Sequence, residues 1–311
     1  MIIKHKKEKR WFKIKKEIKN AYNLSIDKIY QKNEIKYFFV SNKKIYIEEI
    51  NNEQLENIKE IVMASNELYS IDNKKTRIIL KCLNNNYFFE YKRKKYILSF
   101  GENMRNERIT INDMFPQQIE KSKYKKLEIN VLEKWKKLID EIEKALVEYN
   151  KEYKELMKII NYYIGLSENA IQLYISKNET LETVYDNLGH YTGSYDIDNF
   201  FSPLNIKKIN NGNMLGKYIK YRLYNGIFSY KNIFDIKDII TNKQDKYVFL
   251  ETLMFQEEFF NEVKKIITSD KLESDEKQFL KYTSKINELE HILRYVQEEI
   301  ICEETINWLE E

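Results

Sequence analysis

Apolar residues in this chain recur with two different periods, and the change of period divides it. Between residues 37 and 100 they alternate. Residues 37–40 (Tyr-Phe-Phe-Val), a Ser41-Asn42 turn and residues 45–47 (Ile-Tyr-Ile) predict a hairpin. Leu55, Ile58, Ile61, Val62 and Leu68 then follow an Asn at three- and four-residue steps, which predicts an Asn-capped helix over about 52–69. Residues 77–83 and 87–91 flank Asn84-Asn85-Asn86 as a second hairpin, and 95–100 supplies another strand. Ahead of the sheet, Trp11, Ile14, Ile18 and Tyr22 predict a helix that ends near Asn23.

Beyond residue 101 the period becomes helical. The polar segment 101–125, with Pro116, reads as a linker. From Val131 through Trp135, Leu138, Ile142, Ala145, Tyr149, Tyr153 and Leu156 to Ile160 the spacing predicts roughly thirty helical residues, about 45 Å if unbroken. Asp245 is the expected cap of a helix over 247–267. Ser274, with Asp275 and Glu276 behind it, is the expected start of another that buries Phe279, Leu280, Ile286, Leu289, Ile292, Leu293, Val296 and Ile300. Strands with one inserted helix, then helices alone, predict an α+β, bilobal organisation: residues 1–101 form a small antiparallel β lobe with a basic arm, and 102–311 a large helical lobe.

Composition narrows the classes. With 42% hydrophobic and 14% aromatic residues, the 311-residue chain is too apolar for disorder and long enough for a substantial core. Heavy use of Lys, Asn and Ile with only seven Gly and two Pro has the look of an AT-rich bacterial genome, so the number of Lys says little about ligands. Position says more: residues 1–20 hold nine Lys/Arg against Glu8 and Glu17, a net of +7, while the rest holds 44 basic against 47 acidic groups. This arm is a solvated charged face or a contact for an acidic partner. Two distant cysteines, Cys82 and Cys302, and three scattered histidines, His5, His190 and His291, argue against a zinc site and a structural disulfide. The first residues lack a signal-peptide core, and no window approaches a membrane span.

One stretch is specific. Residues 162–172, Tyr-Tyr-Ile-Gly-Leu-Ser-Glu-Asn-Ala-Ile-Gln, follow a long charged helix that itself follows a sheet with an inserted helix. That segment in that order resembles the YutH-type spore coat proteins, kinase-like relatives of aminoglycoside phosphotransferases and choline kinases. The resemblance implies a protein-kinase-like fold over about 11–310, partners among other spore coat proteins, and synthesis in the mother-cell cytoplasm before assembly on the coat.

Phosphoryl transfer on such a fold would need a Gly-containing hairpin over the nucleotide phosphates, a Lys on the third strand, an acid to position the acceptor hydroxyl, and an Asp for Mg²⁺ at the end of a short strand. No Gly precedes Gly101. Glu48-Glu49 follow residues 45–47 where a cation belongs, with Lys43 and Lys44 assigned to the turn. Acid candidates are Asp186 (beside Asn187), Asp196 and Asp198, the last with Asn199 and Asn205 nearby. The metal position falls within 206–213, Ile-Lys-Lys-Ile-Asn-Asn-Gly-Asn, where Lys207 and Lys208 repel Mg²⁺ and Asn is a poor replacement for a carboxylate ligand. The residues therefore predict no catalytic, cofactor-binding or metal-binding set, no cofactor and no nucleotide binding. The expected function is a pseudokinase with a structural or interaction role in the endospore coat; the alternative is a divergent ATP-dependent phosphotransferase acting through Asp186 or Asp198.

Four other features have structural readings first. Glu168 and Asn169 are expected to cap or bridge helices, and His190 to be surface or structural. The aromatic run Tyr221, Tyr224, Phe228 and Tyr230 is read as core or partner surface rather than a stacking platform for nucleic acid.

Overall fold

The computed structural model describes residues 13–32, 35–72, 74–102, 109–114, 131–148, 154–178, 187–190, 195–237, 239–268 and 281–302. Trp11, the first twelve residues of the basic arm, Pro116, Asp186 and the expected helix start at Ser274 lie outside them. The chain divides into two compact units, residues 1–125 with 187–208, and residues 126–186 with 209–311. The boundary expected at residue 101 falls inside the first unit, which also takes in a later segment.

In the first unit, helix α1 (13–22) ends at Asn23, whose φ of +55° and amide bond to the Lys19 carbonyl (2.9 Å) close the last turn. Strands β1 (Tyr30–Lys32), β2 (Ile35–Val40) and β3 (Lys43–Ile50) follow, then helices α2 (Asn52–Glu56) and α3 (Ile58–Ile71). β4 (Ile78–Ile79), β5 (Phe89–Tyr91) and β6 (Lys94–Phe100) complete an antiparallel sheet ordered β1-β2-β3-β6-β4, with β5 also on β6.

The β2–β3 turn is the expected Ser41-Asn42, both at positive φ (46° and 65°), the twist that a two-residue hairpin favours. Lys92 and Arg93 turn β5 into β6 in the same way (53° and 61°). Asn51 caps α2 in a reciprocal box with Gln54, and the expected single helix breaks at Asn57. The hairpin expected across Asn84-Asn85-Asn86 forms only its turn, Cys82 N–H to the Asn86 carbonyl at 2.8 Å. Its two arms both pair with β6 instead (Ile78 opposite Phe100, Phe89 opposite Tyr96). β6, fully buried from Tyr96 to Ser99, offers both arms more apolar area than they offer each other.

Because side chains alternate across a strand, Ile45 and Ile47 join Phe38 and Leu98 in a core with Ile14 and Ile18 of α1. Lys44, Tyr46 and Glu48 point to the other face. Strands β7 (Asn187–His190) and β8 (Ile206–Ile209) pair, and Ile206 packs on Ala64 and Leu68 of α3, which ties the late segment to the sheet unit.

Short helix α4 (Ile111–Met114) belongs to the first unit. In the second, α5 (Val131–Glu148) and α6 (Lys154–Asn178) lie in the stretch expected as one long helix from Val131, and residues 149–153 between them lie outside the described residues. Helices α8 (Asn211–Tyr224) and α10 (Lys243–Met254) press together at glycines: a Cβ on Gly212 would lie 2.0 Å from the Asp245 carbonyl oxygen, and one on Gly216 2.7 Å from Thr252 Cβ. The helix expected over 247–267 is two, α10 and α11 (Glu257–Thr268), with α9 (Lys231–Lys237) ahead of them in the chain. Asn242, not Asp245, caps α10. Asp245 is buried and accepts from the Asn210 and Asn242 amides, each at 2.6 Å. Helix α12 (Ile286–Val296) buries Leu289, Ile292, Leu293 and Val296 as its period predicts, and a π-helical turn (Gln297–Ile301) after it buries Ile300.

Candidate functional site: the Asp198 cleft

The segment that carried the resemblance is a packing element. Residues 162–172 lie in α6, where Tyr163 is fully buried, its hydroxyl on the Tyr282 carbonyl (3.0 Å) and its ring on Phe259 (centroids 4.4 Å). Tyr162 donates to Glu290 at 2.9 Å, and Ser167 Oγ accepts the Gln256 amide at 3.2 Å. Glu168 is exposed; its neighbours, not Glu168 and Asn169, link the helices.

The described acid candidates Asp196 and Asp198 lie in the sheet unit. Short helix α7 (Ile197–Phe200) starts where the Asp196 side chain accepts the Asp198 amide at 2.9 Å. This brings the Asp198 carboxylate, 6% exposed overall, against the Lys44–Tyr46–Glu48 face of β3. Oδ1 accepts from Lys44 Nζ and from the buried Tyr46 hydroxyl at 2.7 Å, while Lys32 Nζ stands 3.5 Å from Oδ2. Burial pushes the Asp198 carboxyl up, but the bonds from Lys44 and Tyr46 and the nearby lysine charges outweigh it and hold it below the usual carboxylate range. Burial raises the Tyr46 hydroxyl far above its ordinary value, so it donates at every physiological pH.

Two expectations are corrected here. Lys44 is a strand residue, not a turn residue, and it supplies β3 with a cation on the Asp198 side. Glu48 is not a bare negative charge either. Arg77, 1% exposed, reaches its Oε2 at 3.0 Å, and Ser99 and Ser202 donate to the same carboxylate. The Arg77 guanidinium also lies 3.9 Å over the Tyr46 ring, and its backbone amide reaches the Phe201 carbonyl at 3.0 Å. Glu49, on the exposed side, pairs with Lys94 at 2.6 Å.

Around these pairs opens a cleft of about 670 Å³, walled by Lys36, Gln54, Arg77, Asp198, Asn199 and Asn205 among others. Asn205 donates to the Asn199 carbonyl at 2.7 Å, which fixes the loop behind Asp198. His190 is buried in β7, not on the surface. Burial, then the Arg77 charge, pushes its pKa down to about 3. Its Nε2 lies 2.7 Å from Thr76 Oγ1, and that hydroxyl bonds Asp72. With Thr76 donating to Asp72, Nε2–H donates to Thr76, and the neutral ring is a structural strut.

Following β8, Asn210 lies within 206–213, the stretch expected to hold the metal position. Its side chain accepts the Asn213 amide as the cap of α8 and donates to Asp245. Among the described residues no three His, Cys, Asp or Glu side chains converge as a metal site. The Asn210 amide, held on both sides, does not fit the role of a Mg²⁺ ligand. Of the aromatic run, Tyr224 is core and bonds Gln256 at 2.7 Å, Tyr221 and Phe228 are half-buried, and Tyr230 is exposed. Alternation on β3 could have revealed the shared face of Lys44, Tyr46 and Glu48; nothing local marks Arg77, Ser202 or Lys32.

This sheet order with the α+β organisation defines the class. The chain has the protein-kinase-like fold of the aminoglycoside phosphotransferases. It is similar to an aminoglycoside phosphotransferase from Alicyclobacillus acidocaldarius subsp. acidocaldarius DSM 446 (TM-score 0.58, 9% identity, covering 90% of this chain and 94% of that one). It is also similar to the spectinomycin phosphotransferase APH(9)-Ia in complex with ADP and spectinomycin (TM-score 0.54, 11% identity, covering 92% and 98%). At such identity the likeness is one of fold alone. Residues 15–188, more than half of the chain, match the family described as "Spore coat putative kinase YutH", and the chain belongs to that family. No curated protein matches it. Among the described residues no helix is long and apolar enough to cross a membrane.

Proposed function

We infer that this chain is a pseudokinase of the spore coat, made in the mother-cell cytoplasm and assembled on the coat, where it binds other coat proteins and catalyses nothing. The carrying observation is Asn210. At the end of the short strand β8, where a phosphotransferase needs a metal-holding carboxylate, an amide is locked between the α8 cap and Asp245. The absence of Gly before Gly101 supports the same reading, since a side chain at each position of the early strands keeps backbone amides away from phosphates.

A second reading has one observation in its favour. Asp198, at the wall of a cleft, is paired with Lys44 behind it, an acid–cation pairing that a divergent phosphotransferase would retain. Titration calorimetry with Mg-ATP separates the two. No heat of binding is the expected result. A dissociation constant in the micromolar range, abolished by Asp198→Ala, would overturn the pseudokinase reading.

A further inference from the structure

The rim of the sheet in the first unit carries three aromatic rings left out of the core. Tyr30 lies on edge strand β1, and Tyr37 and Phe39 lie on β2. Tyr30 and Tyr37 are register partners whose rings stack at 5.5 Å between centroids. Phe39 closes a triangle edge-on, 5.7 Å from Tyr30 and 5.8 Å from Tyr37. Tyr30 is 37% and Phe39 48% exposed, although Phe38, one residue away, is fully buried. A Phe held half in water beside two other rings leaves apolar area available to a partner.

Cations frame this shelf. Lys28 Nζ lies 5.0 Å above the Tyr30 ring and Lys44 Nζ 4.2 Å above Tyr37, while Lys32, 57% exposed, projects from β1 itself. Asp198 balances Lys44 and is within 3.5 Å of Lys32, which leaves the shelf net positive. β1 ends the strand order, and among the described residues no strand lies beyond it.

We propose that this edge is a docking surface for an extended, acidic segment of a partner protein. The segment lies along β1, sets apolar or aromatic side chains on the Tyr30–Tyr37–Phe39 shelf, and brings carboxylates to Lys28 and Lys32. Strand addition supplies main-chain hydrogen bonds, and the shelf reads alternate side chains. Charge decides between partners. Lysines on an edge strand discourage pairing with another copy of the same edge, because like charges would face each other, and the same lysines attract an acidic strand. The shelf shares Lys32 and Lys44 with the surroundings of Asp198, but Tyr30→Ser with Phe39→Ser leaves that carboxylate's partners in place, so peptide binding and nucleotide binding fail separately.

The test is fluorescence anisotropy of the full chain with labelled peptides of alternating Glu and Tyr, Lys and Tyr, or Glu and Gly. Saturable binding of the Glu-Tyr peptide alone is expected, weakening as salt is added. Tyr30→Ser with Phe39→Ser, and separately Lys28→Glu with Lys32→Glu, are each expected to lower that affinity about tenfold or more. The melting temperature of the Ser variant reports that the fold persists. Absence of saturable Glu-Tyr binding, equal binding of Lys-Tyr, or full affinity in folded variants would overturn the proposal. So would a concentration-dependent dimer abolished by the Ser pair, which would give the edge to a second copy.

Discussion

Asp198 in the sheet unit and Asp245 in the helical unit are buried to the same degree, each 6% exposed, yet they are satisfied in opposite ways. Asp198 faces Lys44, Lys32 and the Tyr46 hydroxyl at the wall of a cleft. Asp245 faces the amides of Asn210 and Asn242 where α8 and α10 pack at glycine contacts. An acid matched by cations keeps its charge available at a surface opening; an acid matched by amides fastens helix ends. Both units hold ion pairs, but the cleft beside Asp198 lies in the sheet unit, while the neighbourhood of Asp245 is scaffold.

Arg77→Ala is the strongest way to break that contrast. It strands Glu48 without its buried cation and is expected to destabilise the chain by about 3–5 kcal/mol in urea unfolding. The pair Arg77→Met with Glu48→Gln should recover most of the loss, since it removes both charges. Equal losses in the single and double variants would show that the ion pair does not set the stability of the sheet unit.

Gly212→Ala tests the scaffold side. A Cβ would lie 2.0 Å from a backbone oxygen of α10, so the helices must separate, at a cost of about 3 kcal/mol. A variant with unchanged unfolding midpoint would mean that α8 and α10 are not in such close contact in solution.

Glu251 sharpens the electrostatic half of the comparison. Burial in α10 pushes its carboxyl up to about 8, so it folds neutral. Its folded pKa lies above its unfolded value, so its burial costs nothing below the unfolded pKa and destabilises increasingly as pH rises toward 8. Glu251→Gln should therefore stabilise the protein at pH 8 by about 2 kcal/mol or more and leave it unchanged near pH 4. Thermal melts across that range would show parallel curves for the two proteins if the shift were absent.

The smallest effect expected is a gain. Gly165 sits inside α6 with nothing within 4 Å of an added Cβ, so Gly165→Ala should stabilise by up to about 1 kcal/mol through helix propensity. Set against Gly212→Ala, it separates glycine as weak helix former from glycine as a contact requirement.

Local physics made much of the fold legible. Alternation placed β2, β3 and β6, the Asn51 cap placed α2, and the apolar period of 286–300 placed α12, because each depends on neighbours a few residues away. Long-range choices were not legible. Residues 78–79 and 89–91 pair with β6 rather than with each other, since the buried strand competes better than the short hairpin. Asn242 displaced Asp245 as the cap of α10, and Asp245 turned inward to two amides. For the candidate site, the sequence offered Asp198 among other acids, the carboxylate-free stretch 206–213 and the missing early glycines. Only the tertiary structure decided that Lys44 meets Asp198 across 154 positions and that Arg77 neutralises Glu48. A charge in the sequence has a sign but no partner; its partner is chosen by which strands the hydrophobic core brings side by side.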